Sequence, residues 1–275
     1  MKIERPDGIL RIGIVGMGAI GFKVCLAVDR GDLEGAVLKA VWDMRPEALA
    51  RHEELSSRPR VLPVSQMAGE IDLLFEATNA EAMADIVSEA LQRGIDVLVM
   101  STGGFALHPE LLELARQTRR HLYLPSGALS GLDGILASNV GNLDRVILTT
   151  TKHPRSLAGA PYLTEKKINL EGLDGPKEIF RGTAANAIRG FPANVNISIT
   201  LSLAGLGFHR TEMVIVADPG ARRTVHEIKA EGAFGSLYTR TESSPDPENP
   251  RTSLMAVSSA IATLKKIAGA VKVGT

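Results

Sequence analysis

The run Ile12-Gly13-Ile14-Val15-Gly16-Met17-Gly18-Ala19-Ile20-Gly21 constrains this chain more than any other stretch. It sets Gly-x-Gly-x-x-Gly after a short apolar strand and before a helical pattern, as in the βαβ units that hold dinucleotides. Gly16 permits the tight turn, and Gly18 leaves no Cβ between backbone N–H groups and a pyrophosphate. Gly21 lets the helix pack closely on the strand, so phosphate charge falls at the positive helix N-terminus. Gly16, Gly18, Ala19, Ile20 and Gly21 are therefore candidate cofactor-binding residues. A second strand, Ala36–Trp42, ends at Asp43, 22 residues beyond Gly21. An acid there can accept hydrogen bonds from an adenosine ribose and would repel a 2′-phosphate. In that context a plain glycine turn is the weaker reading.

With 275 residues the length suits about two domains and a large core without disulfides. Thirty-one basic residues balance thirty-one acidic ones, so no global field favours nucleic acid or an acidic membrane. The single cysteine, Cys25, excludes an internal disulfide and a cysteine zinc cluster, and no metal site is expected. It lies on the helix behind the glycine loop, where apolar packing suppresses the thiolate. No apolar run approaches the ~20 residues that span a bilayer, and residues 1–7 lack the apolar segment of a signal peptide. The expectation is a cytoplasmic enzyme with a small-molecule substrate.

Strand and helix signals alternate through the first half, as an open parallel sheet requires. Helical stretches are expected at Pro46–Leu55, Ala80–Arg93 and Pro109–Arg120, and strands at Arg60–Leu62, Ile71–Ala77, Ile95–Met100 and His121–Leu124. From about Asn142 the texture changes to strand-like runs, Arg145–Thr151, Glu212–Ala217, Thr224–Ala230 and Ser236–Thr241, with one long helix at Asn194–Leu206. The fold class is α/β: a Rossmann doubly wound parallel sheet followed by an α+β substrate domain. Its expected divisions are 1–141 with 250–275, and 142–249. A final amphipathic helix, Ser253–Ala268, is expected to pack back on the first domain.

In such sheets ligands bind beyond the carboxyl ends of the strands. Thr78-Asn79, Ser101-Thr102-Gly103-Gly104 and Ser126-Gly127-Ala128 stand at such ends, and their small side chains would leave room for ribose and nicotinamide; Thr78 joins the candidate set. The second domain must supply the reacting group. Among six histidines, His226 stands apart, because strand alternation puts it on the face of Ile228 and Ala230. It can be a satisfied core residue, or a proton acceptor with a pKa near neutrality. Asn194 and Asn196 open the long helix, and either can be its N-cap or reach a ligand.

At Pro125-Ser126-Gly127-Ala128-Leu129-Ser130-Gly131-Leu132-Asp133 the chain resembles the L-aspartate dehydrogenase family. Phe191-Pro192-Ala193-Asn194-Val195-Asn196, Val216-Ala217-Asp218-Pro219, His226 and Asn249-Pro250-Arg251-Thr252-Ser253 agree in the same order. The resemblance implies NAD(P)-dependent oxidation of L-aspartate to iminosuccinate, which water converts to oxaloacetate and ammonia, or which feeds NAD biosynthesis. It implies that His226 acts in catalysis, that Ala128 and Asn196 contact the nicotinamide cofactor, and that the chain forms a homo-oligomer, expected here as a homodimer. Asn194 competes with Asn196 for its assignment. Asp43 argues for NAD, while Arg45 could tolerate the phosphate of NADP. Lys152, Arg155 and Arg251 are cations that could meet the two substrate carboxylates.

Acyl-thioester aldehyde dehydrogenases need a nucleophilic cysteine in the substrate domain, and Cys25 is the only thiol. The Glu-Lys-Pro of sugar dehydrogenases and the Lys-x-Asp-x-Pro-Ser-Gly of dihydrodipicolinate reductase are absent from the sequence. A homoserine- or other amino-acid-like dehydrogenase, or a non-catalytic NAD-sensing regulatory dimer, are the alternatives.

Overall fold

A computed structural model of the chain describes residues 8–192, 195–247 and 252–274. They divide into two compact units, one running to Pro125 and including Ala256–Val273, the other comprising Ser126–Met255.

The first unit runs β1 (Leu10–Val15), α1 (Ala19–Asp29), β2 (Ala36–Trp42), α2 (Pro46–Leu49), β3 (Arg60–Val61), β4 (Leu73–Glu76), α3 (Ala80–Gln92), β5 (Asp96–Val99), α4 (Glu110–Thr118) and β6 (Leu122–Tyr123). All six strands are parallel, in the order β3-β2-β1-β4-β5-β6. β1 and β4 are central strands buried on both faces, which is why they read as unbroken apolar runs. Asn79 caps α3 by accepting from the N–H groups of Glu81 and Ala82, a bond pair worth about 1 kcal/mol. Gly94 follows α3 at φ +78°, the left-handed position where a Cβ is costly.

The second unit contains α5 (Leu132–Ser138), β7 (Leu143–Lys152), α6 (Pro161–Glu165), β8 (Lys177–Thr183), α7 (Ala184–Gly190), α8 (Asn196–Ala204), β9 (Glu212–Ala217), β10 (Thr224–Gly232) and β11 (Gly235–Ser243). Its five strands form a mixed sheet in the order β11-β10-β7-β9-β8, with only β7 and β9 parallel. Val146 and Leu148 of β7 and Ile228 and Ala230 of β10 pack with Ile135, Leu201 and Leu129 into one apolar core. That core explains why the second unit begins ahead of residue 141, since Leu129 and Ile135 belong to it. α5, α6, β8 and α7 are elements that the sequence pattern does not announce.

The last helix, α9 (Leu254–Ala268), joins the first unit: Ala260 and Leu264 are fully buried in the same core as Leu10, Ile12, Ile14, Val24 and Cys25. Among the described residues no helix is long and apolar enough to cross a membrane.

Candidate functional site

The glycine loop forms because β1 must turn into α1 with almost no space. Gly16 sits at φ +95°, and a Cβ there would meet the Ala77 carbonyl oxygen at 2.4 Å and the Thr78 nitrogen at 3.1 Å. A Cβ on Gly21 would come within 1.8 Å of the Gly16 carbonyl oxygen. Gly18 is the N-cap of α1 and makes no side-chain cap bond. The first N–H groups of a helix have no partner within it, so Ala19 and Ile20 present donors where phosphate charge would be favoured. The cradle is one that side chains would fill, and its donors suit an anion; the residues fit a dinucleotide.

Asp43, at the end of β2, turns toward this loop. Its Oδ2 accepts from the Met17 N–H at 2.7 Å and from Arg45 Nη2 at 3.0 Å. Its Oδ1 accepts from the Arg45 N–H at 2.9 Å and from Nε at 3.1 Å. Burial pushes this carboxyl up, but the hydrogen bonds from Arg45 and Met17 outweigh it and hold the group below its ordinary range.

Thr78 is also beside the loop, though its hydroxyl looks inward. Glu76, fully buried at the end of β4, accepts from the Thr78 N–H and Oγ1, both at 2.6 Å, and from Ser101 Oγ at 2.9 Å and N–H at 3.1 Å. Burial raises the Glu76 carboxyl against the pull of these bonds. One carboxyl thus ties the ends of β4 and β5 together, a role no spacing in the sequence signals. Ser101 to Gly104 do not leave open space, contrary to the expectation from their size. All four are buried, and a Cβ on Gly104 would lie 2.2 Å from Met83 Cε of α3. The small size of Gly104 serves helix packing.

Within the second unit, Ala128 is buried in the loop after β6, and Asn196 is the exposed first residue of α8. The two segments adjoin, since a Cβ on Gly127 would lie 3.2 Å from Ile197 Cγ2. The N-cap of α8 is Val195, so Asn196 is not the cap; Asn194 and Arg251 lie outside the described residues.

His226 lies on β10, buried on the face that also carries Ile228 and Ala230. Register places it opposite Thr150 of β7, whose Oγ1 is 3.0 Å from His226 Nδ1. Lys152, two residues along β7, shares that face. Burial, and then the positive charge of Lys152, push His226 down to about 3. Burial likewise pushes the Lys152 ammonium down to about 8. An imidazole held neutral in this way, with one nitrogen anchored by a hydroxyl, stands next to a partly desolvated cation that can hold an anion. Sequence alternation found the face of His226 but not Thr150, which is 76 residues away and known only through register.

Four of the other five histidines have hydrogen-bond partners. His52 Nδ1 meets the Leu49 carbonyl, His108 pairs with Glu110, His121 with Asp96, and His153 Nδ1 accepts from the Arg155 N–H. Cys25 is buried, and burial with the nearby Asp29 charge pushes its thiol up to about 12. Among the described residues no group of three or more His, Cys, Asp or Glu side chains could hold a metal ion.

A family model described as Aspartate dehydrogenase, C-terminal, matches residues 133–267, and one described as Homoserine dehydrogenase, NAD binding domain, matches residues 16–125. The curated L-aspartate dehydrogenase of Methanococcoides burtonii is 41% identical over 272 residues, covering 97% of this chain and 100% of its own length. That of Bradyrhizobium diazoefficiens is 38% identical over 279 residues, covering 100% and 98%. The aspartate dehydrogenase structure from Thermotoga maritima superposes with a TM-score of 0.74 at 23% identity, covering 96% of this chain and 99% of that one. A scyllo-inositol dehydrogenase from Lactobacillus casei with bound NAD(H) and scyllo-inositol gives 0.55 at 13% identity, covering 94% and 88%. These two structures share the fold.

Proposed function

The chain belongs to the L-aspartate dehydrogenase family, and from that premise we propose that it oxidises L-aspartate with NAD or NADP, yielding iminosuccinate and then oxaloacetate and ammonia. When bound, the dinucleotide would supply the hydride acceptor for this oxidation. Gly16, Gly18, Ala19, Ile20 and Gly21 would hold its pyrophosphate and Asp43 its ribose, and Thr78, Ala128 and Asn196 would complete the cofactor set. In this reading the first unit supplies the pyrophosphate and ribose contacts, and the second supplies Ala128, Asn196 and the substrate chemistry.

The observation that carries the chemistry is the buried His226 anchored by Thr150 at 3.0 Å beside Lys152. The substrate ammonium must lose a proton before its nitrogen lone pair can form the imine. With Nδ1–H donating to Thr150 Oγ1, the lone pair of His226 sits on Nε2, and this nitrogen takes that proton or activates the hydrating water. Lys152 opposes protonation of His226 in the free protein. A substrate carboxylate seated on Lys152 offsets that charge, so the base strengthens when substrate arrives. Lys152→Gln is accordingly expected to raise KM for L-aspartate about tenfold, with a smaller effect on kcat, because a charge-assisted contact is lost in ground and transition states alike. Steady-state kinetics check this; an unchanged KM removes Lys152 from substrate binding.

The whole reading is tested by following reduced nicotinamide with L-aspartate, L-homoserine, L-alanine and L-glutamate, each with both cofactors. Turnover is expected with L-aspartate alone. Turnover on L-homoserine instead would shift the substrate, and nucleotide binding without turnover on any of them would leave an NAD-sensing protein. A homodimer in the cytoplasm completes the proposal, its oligomeric state measurable by light scattering.

A further inference from the structure

Glu76 is fully buried at the carboxyl end of β4, and no cation pairs with it among the described residues. Buried charges are ordinarily paired; here hydrogen-bond donors take the place of a counter-ion. The Thr78 N–H, Thr78 Oγ1 and Ser101 Oγ converge on Oε1, and the Ser101 N–H reaches Oε2. The backbone N–H groups can donate but never accept. The Thr78 hydroxyl bond of 2.6 Å has the length of a bond to an ionised oxygen, about 2.5–2.7 Å. These donors favour the carboxylate form against the burial that raises the group.

The sheet puts this charge at a particular place. Strand order reverses between β1 and β4, the point at which a doubly wound sheet takes a dinucleotide. Asp43 stands on the β2 side, where the adenosine ribose belongs, so the nicotinamide half falls toward β4 and β5. Those are the two strand ends that Glu76 joins. The β4 end also abuts the glycine turn, since a Cβ on Gly16 would meet the Ala77 carbonyl oxygen at 2.4 Å.

We propose that Glu76 is a fixed negative charge that makes the nucleotide-binding unit favour oxidised over reduced nicotinamide. The inference rests on the dinucleotide reading of the glycine loop. The nicotinamide ring carries a positive charge when oxidised and none when reduced, while the rest of the dinucleotide is unchanged. A carboxylate in a low-dielectric interior therefore distinguishes the two forms without touching either. A chain that retains the oxidised nucleotide and releases the reduced one is set to oxidise its substrate.

Isothermal titration of the wild type, Glu76→Gln and Glu76→Asp with NAD⁺, NADH and ADP-ribose tests the charge. ADP-ribose lacks the nicotinamide and reports on the rest of the site. The wild type is expected to bind NAD⁺ at least as tightly as NADH. Glu76→Gln keeps an oxygen for the donors that meet Oε1. It is expected to weaken NAD⁺ about tenfold relative to NADH and ADP-ribose, the scale of one charge acting at an effective dielectric of about 20. Glu76→Asp keeps the charge and is expected to keep the wild-type ratio. Equal weakening of all three ligands in Glu76→Gln overturns the proposal and leaves Glu76 as a tie between strand ends. Should a thermal melt show that Glu76→Gln does not fold, the wild type decides alone, and tighter binding of NADH than of NAD⁺ overturns the proposal. A wild type that binds none of the three ligands overturns the dinucleotide reading itself, a different outcome from either.

Discussion

His226→Ala is expected to lower kcat for L-aspartate oxidation by about 10²–10⁴-fold, the contribution of a well-placed general base. Nucleotide affinity is expected to stay within a few-fold, because His226 is not among the groups assigned to the cofactor. Removing the imidazole also strands the buried Thr150 hydroxyl, a loss of about 1–3 kcal/mol, so alanine alone mixes chemistry with stability. His226→Asn separates them: its amide can still meet Thr150 Oγ1, yet it cannot take a proton. Stability near that of the wild type with the same loss of turnover marks a base, and full turnover in His226→Asn removes His226 from the chemistry. The acid limb of stability supplies an independent readout. The folded-state pKa of His226 lies at about 3, below its ordinary 6.5, so between those values the unfolded chain binds the extra proton. Stability from this group is complete above about pH 6.5 and is lost as pH falls toward 3. Urea unfolding across that window should therefore show a shallower decline in His226→Asn than in the wild type.

Gly21→Ala is expected to abolish nucleotide binding and to lower Tm by roughly 5–15 °C. A Cβ at 1.8 Å from the Gly16 carbonyl oxygen has nowhere to go, since the obstacle is backbone and Gly16 is itself held at φ +95° against Ala77. Helix α1 must then lift from β1, pulling Phe22, Val24, Cys25 and Val28 out of the core they share with Leu10 and Ile12. A cost of about 3 kcal/mol or more follows from such overpacking, and for a chain of this size each kcal/mol moves Tm by about 2–4 °C. Gly31→Ala is the control: its φ is +76°, but nothing lies within 4 Å of its Cβ, so it pays backbone strain alone. Wild-type NADH affinity in Gly21→Ala would show that the loop does not hold the dinucleotide.

How far a residue's role was legible depended on whether it was written locally. The alternation from β1 to β6, the glycine turn and the acid after β2 are short-range patterns, and the parallel order β3-β2-β1-β4-β5-β6 follows them. β8 escaped because its register slips between Glu178 and Phe180. Ile179 and Phe180 are consequently both buried, and the period-two signature of a strand disappears. α5 was hidden by Gly131 at its cap and Gly134 within it, a residue that reads as a breaker but that gives Leu237 room to approach. At the candidate site, alternation alone could place His226 inward. Its partner Thr150 depends on which strands lie side by side, and the two bonds from Ser101 to Glu76 join strand ends 25 residues apart. Asp43 and Arg45 are two residues apart, yet spacing does not say that the guanidinium folds back rather than reaching into water.

Helix α9 has a consequence for how the protein is made. The nucleotide-binding unit comes first in sequence, but Ala260 and Leu264, which follow the second unit in sequence, fill its core. Domains emerging from a ribosome ordinarily fold in order of synthesis. Here the mixed-sheet unit has all its strands once residue 243 is out, while the first sheet still exposes the apolar groove that α9 covers. The first unit to emerge is therefore the last one closed.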